Sequence, residues 1–222
     1  MPETAPSSLD RLRYVVVEGP IGVGKSTLTR LLTERFAGRG VFEVVEENPF
    51  LASFYADRTK YAFQTQLFFL LSRFRQQQEL FQEDLFNQVL VSDYLFAKDR
   101  IFATATLDPN ELSLYEGVYE HLGPRVRRPD LVVYLRARLD VLLGRIRKRG
   151  REFERRFDPE YLEALCHTYN DFFFHYEETP LLVVDTSDID FVAREEDFAE
   201  ILLAIGQMKK GTVHLQPGGR AL

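Results

Sequence analysis

A phosphate-binding motif lies near the start of the sequence, between a predicted strand and a predicted helix. Residues 14–17 form a short, apolar, β-branched run typical of a buried strand, and residues 26–36 have the pattern of a helix. Between them, Gly19 to Ser26 reads GPIGVGKS, which fits G-x-x-x-x-G-K-[ST] in full. Glycines in such a loop let backbone N–H groups point at phosphate oxygens, and the helix adds its positive N-terminal end. The motif therefore predicts a nucleoside triphosphate site.

Each position of this loop is assigned to the triphosphate. Lys25 is expected to reach the β- and γ-phosphates, and Ser26 to ligate Mg²⁺. An ordinary glycine-rich turn is the weaker alternative, because the spelling and its strand-to-helix context agree. The loop alone does not identify the acceptor. The predicted nucleotide-binding positions are Gly19, Pro20, Ile21, Gly22, Val23, Gly24, Lys25, Ser26 and Thr27.

Predicted strands alternate with predicted helices along the rest of the chain. The strand candidates are residues 14–17, 42–45, 89–92, 131–135 and 181–184. The longest helical stretch runs from about residue 51 to residue 86. This alternation predicts an α/β fold with a five-stranded parallel sheet flanked by helices. Ligands of such sheets bind beyond the carboxyl ends of the strands, so the segments that follow the strands are the places to look.

Composition limits the remaining choices. A chain of 222 residues predicts a single domain over residues 1–222, with loose tails at 1–10 and about 210–222. A net charge of −6 argues against general nucleic-acid binding. Cys166 is the only cysteine, which excludes an intrachain disulfide and, with no signal-peptide pattern, predicts a cytoplasmic location. No apolar run is long enough to span a membrane.

Acidic residues follow two of the predicted strands. FEVVEENPF supplies Glu43, Glu46 and Glu47, of which at least one is expected to face the site. The alternative is a solvated strand end. Asp93 ends the run QVLVSDY and is expected to hold Mg²⁺ opposite Ser26, with a helix N-cap as the alternative.

Two further patterns complete the candidate site: a pair of polar residues on one helix and a run of basic residues. On the long helix, Gln66 and Arg73 are seven residues apart and nearly coincide in projection, which suits a nucleobase edge. In RIRKRGREFERR, Arg145 and Arg149 share a helix face, and Arg151 follows the glycine that breaks the helix. Clustered guanidinium groups suit a transferring phosphoryl group, and the glycine suits a closing lid. The run therefore predicts an Arg-rich lid, with a solvated basic helix as the alternative.

Together these segments resemble the deoxynucleoside kinase family, especially its bacterial deoxyguanosine and deoxyadenosine kinase branch, from residue 14 to about residue 198. EGPIGVGKSTL resembles the family's P-loop, and FEVVEENPFLASFY its E-x-V-E-[ED]-N-P-[YF] segment. QLFFLLSRFR resembles the base-binding segment, and RIRKRGREFE the lid. The resemblance implies a P-loop kinase fold, and 5′-phosphorylation of a purine deoxynucleoside by ATP and Mg²⁺ in nucleotide salvage. It also implies a homodimer.

The resemblance implies a role for each matching residue. Glu43 is the general base at the sugar 5′-hydroxyl, with Glu46 as second choice, and Tyr55 and Glu154 meet the 3′-hydroxyl. Gln66 reads the base. The implied catalytic residues are Lys25, Glu43, Arg73, Arg149 and Arg151. The implied phosphate-binding arginines are Arg145, Arg149 and Arg151. The implied substrate-binding residues are Glu43, Tyr55, Gln66, Arg73, Asp93, Asp99 and Glu154.

One motif departs from the family pattern. Many members carry an acid-Arg-[Ser/Thr] triplet after the third strand, where this sequence has Asp93, Tyr94 and Leu95. The acid remains and the arginine is missing, as in some deoxyguanosine-kinase-like members. Asp99, six residues after Asp93, is expected at the base-reading acid position and favours deoxyguanosine, with deoxyadenosine close behind.

Other functions remain as alternatives. A thymidylate-kinase-like enzyme would need arginine near the second strand for an acceptor phosphate, and none lies between Glu43 and Phe54. A non-catalytic nucleotide switch is disfavoured because no N-K-x-D motif appears. A deoxycytidine-preferring or broad deoxynucleoside kinase stays open, because a glutamine such as Gln66 can both donate and accept.

Overall fold

A parallel six-stranded sheet lies at the centre of the computed structural model, which describes residues 11–82, 89–154 and 158–217. The strand order is β2-β3-β1-β4-β5-β6. The strands are β1 Tyr14–Glu18, β2 Arg39–Val41, β3 Leu90–Ser92, β4 Leu131–Arg136, β5 Leu181–Asp185 and β6 Thr212–Leu215. All pairs are parallel, so the carboxyl ends of the strands meet at one edge.

Helices cover both faces of this sheet. They are α1 Lys25–Arg35, α2 Leu51–Ala56, α3 Arg58–Gln82, α4 Lys98–Thr106, α5 Pro109–Leu122, α6 Leu139–Arg149, α7 Pro159–Phe174 and α8 Glu195–Gln207. Short 3₁₀ turns lie at Val45–Glu47, Gly123–Arg125 and Glu152–Glu154. None of the helices in the described ranges is both long and apolar enough to cross a membrane.

The central strand β1 shows why the sheet is buried on both faces. Val15 and Val17 pack into a core with side chains from α1, α6 and α8. Tyr14 and Val16 point the other way, into a core with α2, α4 and α7. Alternate residues of a strand face opposite sides, so an unbroken apolar run is what a doubly covered strand requires. The predicted α/β fold with a parallel sheet is confirmed.

The number and position of strands require two corrections. The predicted second strand at 42–45 is wrong. The strand is Arg39–Val41, paired through Gly40 with Val91, and Val45 begins a 3₁₀ turn. Gly40 gave no strand signal, whereas the Val pair at 44–45 did. The predicted loose C-terminal tail contains β6, an edge strand with Thr212, Val213 and His214 exposed, so its sequence lacks a buried run.

The predicted long helix is divided in the structure. Asp57 has φ −149° and ψ 88°, which ends α2 and lets α3 start at Arg58 in a new direction. The far end of the prediction, 83–86, lies outside the described residues, as does the predicted N-terminal tail at 1–10. The division brings side chains from both helices to the carboxyl edge of the sheet.

The loop after β1 has the conformation that its glycines permit. Gly24 has φ 107°, a left-handed conformation that L side chains rarely adopt, and serves as the N-cap of α1. A Cβ atom at Gly19 would collide with the carbonyl oxygen of Leu135 on β4. The P-loop therefore leaves β1 close against the end of β4 and enters α1 at Gly24.

Candidate active site

A cavity of about 810 Å³, partly open to solvent, lies at the carboxyl edge of the sheet. The P-loop, the segment after β2, helices α2 to α4 and the lid after α6 all contribute to its wall. The residues that line it are Ile21, Gly22, Lys25, Ser26, Glu43, Val45, Leu51, Phe54, Tyr55, Thr65, Gln66, Phe69, Arg73, Asp93, Lys98, Phe102, Arg149, Arg151, Glu154 and Tyr161.

The phosphate end of the cavity is formed by the P-loop. Lys25 Nζ donates to the carbonyl oxygens of Gly19 at 2.7 Å and Pro20 at 3.1 Å. Burial, reinforced by the nearby charge of Lys98, lowers the pKa of Lys25 to about 8. The ammonium group therefore lies in a position where a bound phosphate would stabilise its charge.

Ser26 and Asp93 lie together, as the sequence predicted. Ser26 Oγ donates to Asp93 Oδ2 at 2.5 Å, and Asp93 Oδ1 accepts from the backbone N–H of Glu43 at 2.8 Å. A hydroxyl and a carboxylate are hard oxygen donors of the kind that Mg²⁺ takes beside substrate phosphates and water. The donor set beside the P-loop thus fits the expected ion.

At the acceptor end, four side chains form a chain of alternating charge, here called the charge cluster: Asp99, Arg73, Glu43 and Lys98. Arg73 binds one oxygen of Asp99 and Oε1 of Glu43. Lys98 Nζ donates to Glu43 Oε2 at 2.6 Å. Burial alone would raise the pKa of the Glu43 carboxyl, but the charges of Arg73 and Lys98 outweigh it and hold that pKa well below its usual range. Glu43 is therefore an ionised acceptor fixed from two sides.

The structure distinguishes the three acids after β2. Glu43 faces the cavity, with a side chain only 12% exposed. Glu46, the second choice for the base, is 57% exposed and pairs with Arg151 of the lid at 3.1 Å. Glu47 is also exposed. Of these acids, Glu43 has the position that the predicted role requires.

Gln66 and Arg73 lie about two turns apart on α3 and line the same cavity, as their spacing predicted. Gln66 is buried, and its Nε2 lies 3.3 Å from Thr106 Oγ1. Its carbonyl oxygen has no hydrogen-bond partner among the described residues. A buried amide with an unused acceptor suits a ligand that brings a donor.

The residues predicted at the sugar and the lid also line the cavity. Glu154 is buried and accepts from Arg149 at 2.5 Å and 3.2 Å. Burial, followed by the charge of Glu154, raises the pKa of the Tyr55 hydroxyl far above its usual range. Tyr55 is therefore a neutral hydroxyl beside a carboxylate, a pair that can bind a sugar hydroxyl.

Two predicted residues do not line the cavity. Asp99 is fully buried behind Arg73, because the first turn of α4 directs Lys98 to the cavity and Asp99 toward α3. In this structure Asp99 therefore lies outside the cavity lining, and its contact with the base stays a prediction. Arg145 instead donates to the carbonyl oxygens of Val23 at 3.2 Å and Thr186 at 2.8 Å. It joins α6 to the P-loop and to the loop after β5 rather than pointing at the same space as Arg149.

Comparison with known proteins identifies the family. Residues 15–209 match the deoxynucleoside kinase family model. The chain belongs to the deoxynucleoside kinase family. The deoxyguanosine kinase of Bacillus subtilis strain 168 is 35% identical over 200 residues, covering 88% of this chain and 97% of the relative. The deoxyadenosine kinase of Lactobacillus acidophilus is 31% identical over 207 residues, covering 88% of this chain and 96% of the relative.

A solved structure agrees with this membership of the family. The deoxyadenosine kinase from M. mycoides with bound dATP superimposes with a TM-score of 0.76 at 26% identity, covering 87% of this chain and 98% of the other. The fold around the cavity is therefore that of an enzyme that binds a nucleoside triphosphate. This chain is a kinase.

Sequence reasoning missed two buried residues of this kinase. Glu18 ends β1 and accepts from the backbone N–H groups of Gly19 at 2.8 Å and Leu95 at 2.7 Å, which ties the P-loop to the segment after β3. Lys98 projects into the cavity. Each had a visible signal: an acid at the end of an apolar strand, and a lysine within the apolar run YLFAK.

Tyr94, which stands where many family members carry arginine, does not face the cavity. Its side chain is fully buried, and its hydroxyl accepts from Gln77 Nε2 at 3.1 Å. Burial raises the pKa of this hydroxyl well above its usual range. Tyr94 therefore belongs to the core of the kinase, and the second cation beside Glu43 comes from Lys98.

Proposed function

We propose that this kinase transfers the γ-phosphoryl group of ATP to the 5′-hydroxyl of a purine deoxynucleoside, deoxyguanosine or deoxyadenosine. One observation carries the proposal: the ionised Glu43 carboxylate and the P-loop Lys25 line a single cavity. A hydroxyl acceptor bound at Glu43 and a triphosphate bound at the P-loop then meet within it. Positioning and charge neutralisation are what phosphoryl transfer chiefly requires.

Each end of the cavity has a part in this reaction. Lys25 neutralises the β- and γ-phosphates, and Ser26 and Asp93 would hold Mg²⁺, which would supply further positive charge there. Glu43 accepts a hydrogen bond from the 5′-hydroxyl and orients its oxygen toward the γ-phosphorus. The bond from phosphorus to the β–γ bridging oxygen breaks as the bond to the 5′-oxygen forms, and ADP leaves.

The proton of the hydroxyl passes to Glu43 late in this reaction. Two cations make Glu43 a weak base, so it takes the proton only when the oxygen is already bonding to phosphorus. A loose transition state has this order, because the attacking oxygen carries little negative charge early in the reaction. Glu43 thus acts first by orientation and afterwards as the base.

The acceptor end favours a neutral nucleoside over a nucleotide. Its cations, Arg73 and Lys98, are already paired with carboxylates and leave no uncompensated charge for an acceptor phosphate. Gln66 offers both a donor and an acceptor to a base edge, and Tyr55 and Glu154 offer partners for the 3′-hydroxyl. The relatives named as deoxyguanosine and deoxyadenosine kinases support a purine.

The proposed assembly and location follow the family resemblance. The kinase is a cytoplasmic homodimer formed by one domain per chain. Light scattering on the purified protein tests the assembly, and a mass near twice 25.8 kDa is the expected result. A mass equal to one chain at micromolar concentration contradicts it.

A panel of acceptors tests the reaction. The protein is mixed with Mg²⁺, ATP and each of the four deoxynucleosides, dGMP or thymidylate, and ADP and the phosphorylated product are both measured. We expect deoxyguanosine and deoxyadenosine to give the highest kcat/KM. Faster turnover of either monophosphate would establish a nucleotide kinase, and ATP binding without turnover of any acceptor would establish a switch.

A further inference from the structure

The position of Lys98 is energetically unfavourable for a charged lysine, which suggests a functional role at the cavity. It is only 4% exposed, and it is the first residue of α4, where the helix dipole disfavours a cation. Buried lysines are rare unless they are paired. Among the described residues, Glu43 Oε2 is its one hydrogen-bond acceptor, at 2.6 Å. The charge is held by the Glu43 carboxylate and by the ring of Phe102, whose centroid lies 5.5 Å from Nζ.

The two oxygens of Glu43 are held by different helices. Arg73 on α3 binds Oε1, and Lys98 on α4 binds Oε2. Arg73 contacts Asp99 through Nη1 and Oε1 of Glu43 through Nη2, so in this structure it does not hold Oε2 of Glu43. Without Lys98, Oε2 loses the one side-chain donor that it has among the described residues, and the carboxylate is held through Oε1 alone. A carboxylate oxygen can accept more than one hydrogen bond, so the Lys98 contact leaves room for a substrate hydroxyl.

We propose that Lys98 is a positioning residue for phosphoryl transfer, which holds the Glu43 carboxylate turned toward the acceptor hydroxyl. The inference rests on the proposed function, because it presumes that Glu43 receives that hydroxyl. It adds a residue from α4 to a mechanism that the sequence motifs assign to α3 and the loops. Lys98 acts through Glu43, and not as a separate ligand of the phosphates.

A separate phosphate ligand is the competing role. The charge of Lys98 acts on Lys25, so the two ammonium groups lie within electrostatic reach of each other. A direct phosphate contact would work whether or not Glu43 is present. A positioning role would disappear once the Glu43 carboxylate is replaced. The two roles therefore differ in how the effects of two substitutions combine.

A double-mutant cycle separates them. Wild type, Lys98→Met, Glu43→Gln and the double variant are compared for kcat, KM for deoxyguanosine and deoxyadenosine, and ATP binding. We expect Lys98→Met to lower kcat by roughly 10²-fold in wild type, within the usual range for proton-transfer and orienting groups, and by less than about threefold in the Glu43→Gln background. ATP affinity is expected to change little. Lys209→Met, on an exposed residue, is the matched control.

Lys98→Arg provides a second test in case Lys98→Met does not fold. It keeps a cation beside Glu43, so it is expected to retain at least about tenfold more kcat than Lys98→Met, and its residual loss should vanish in the Glu43→Gln background. Because the double variant removes one charge of each sign, its melting temperature should exceed that of Lys98→Met. A higher Tm shows relief of the excess negative charge left in the charge cluster and not merely lost packing.

The outcomes separate this inference from the proposed function. A wild type that phosphorylates none of the deoxynucleosides overturns both. If wild type is active and the fold-losses in kcat of the two single variants multiply in the double variant, the positioning role alone is overturned and Lys98 is assigned to the phosphates. An active wild type in which Lys98→Met keeps normal kcat, or in which Lys98→Arg loses as much as Lys98→Met, overturns the need for this charge.

Discussion

The two ends of the cavity use charge in opposite ways. At the acceptor end, Arg73, Lys98 and Asp99 are at most 4% exposed, and every charge of the cluster contacts one of opposite sign. At the phosphate end, the lid side chains of Arg149 and Arg151 are 37% and 34% exposed. The acceptor end is therefore built before any ligand arrives, whereas the phosphate end keeps charges near water.

The lid arginines are held by partners that a triphosphate can replace. Arg149 pairs with Glu154, and Arg151 with Glu46. The Arg151–Glu46 pair is partly exposed on both sides and contributes about 0–1 kcal/mol, so exchanging its carboxylate for a phosphate costs little. Arg149 is exposed more than its partner Glu154, whose carboxylate is buried. Gly150, with φ 68°, ends α6 in a left-handed conformation and gives the lid a turn at which to move. The comparison indicates a rigid site for the hydroxyl and an exchangeable one for the phosphates.

The largest effects are expected from substitutions that disable one end of the cavity at a time. Glu43→Gln should lower kcat by roughly 10²–10⁴-fold, because it removes the base and the orienting charge. Lys25→Ala should lower turnover as severely, since it removes charge from the triphosphate. ATP affinity, measured by titration, should fall in Lys25→Ala and survive in Glu43→Gln. If Glu43→Gln kept near-normal kcat while Glu46→Gln did not, the assignment of acids after β2 would be wrong.

The difference in burial predicts a difference in stability. Arg73→Met leaves Glu43 and Asp99 close together in the interior, and breaking a buried ion pair costs about 3–5 kcal/mol. Arg136→Met breaks the pair with Asp185. Because the Arg136 side chain is 48% exposed, the loss of stability should be at most about 1 kcal/mol. Urea denaturation measures both. Equal losses would show that the charge cluster is hydrated rather than buried.

The lid arginines are expected to act in the transition state. Arg149→Ala or Arg151→Ala should lower kcat by roughly 10²-fold, because charge on the transferring group develops during reaction. KM for the deoxynucleoside should rise much less. Steady-state kinetics on both variants provide the test, with Arg194→Ala, far from the lid in the sequence, as a control. A pure KM effect in both variants would reduce the segment to a solvated basic helix.

The lowered pKa of Lys25 predicts a pH dependence of ATP binding. The free protein holds Lys25 with a pKa of about 8, whereas a bound triphosphate favours its charged form. Above pH 8 the free protein must take up a proton to bind ATP, so affinity should fall by up to about tenfold per pH unit. Lys25→Arg stays charged throughout this range and should abolish the dependence. A wild-type affinity that is flat from pH 7 to 9 contradicts this account.

Most of the fold follows from local pattern, and the exceptions have physical causes. The buried strands β1, β4 and β5 are continuous apolar runs, so the sequence predicts them nearly to the residue. The edge strands β2 and β6 are half-exposed and contain Gly40 or Thr212, so only their pairing partners determine them. The apolar pattern of the sequence predicts strands whose side chains are buried. It misses edge strands that form only by pairing with a neighbouring strand.

The same limit applies to the site. Motif spacing predicted the P-loop, the Ser26–Asp93 pair and the shared line of Gln66 and Arg73, because each is local or is set by one helix. It could not predict that Lys98 would bind Glu43, since that contact joins residues 55 positions apart. It also did not predict that Asp99 would pair with Arg73, since the direction of that side chain depends on where α4 begins.

The smallest expected effect concerns the choice of base. Gln66 lines the cavity with an unused carbonyl oxygen, whereas Asp99 lies behind Arg73 and contacts no cavity space. Gln66→Ala should therefore raise KM for the preferred purine by roughly tenfold, since a good amide pair to a base edge is worth about 1–3 kcal/mol. Asp99→Asn weakens the hold on Arg73, so it should lower kcat for all four deoxynucleosides together. The ranking of their kcat/KM values should change by less than about threefold, because no differential contact is lost.

Measuring kcat/KM for all four deoxynucleosides on wild type and both variants tests the assignment. A ranking that changes sharply in Asp99→Asn and not in Gln66→Ala would mean that Asp99 reaches the base when substrate is bound, and that the acceptor end rearranges as freely as the lid.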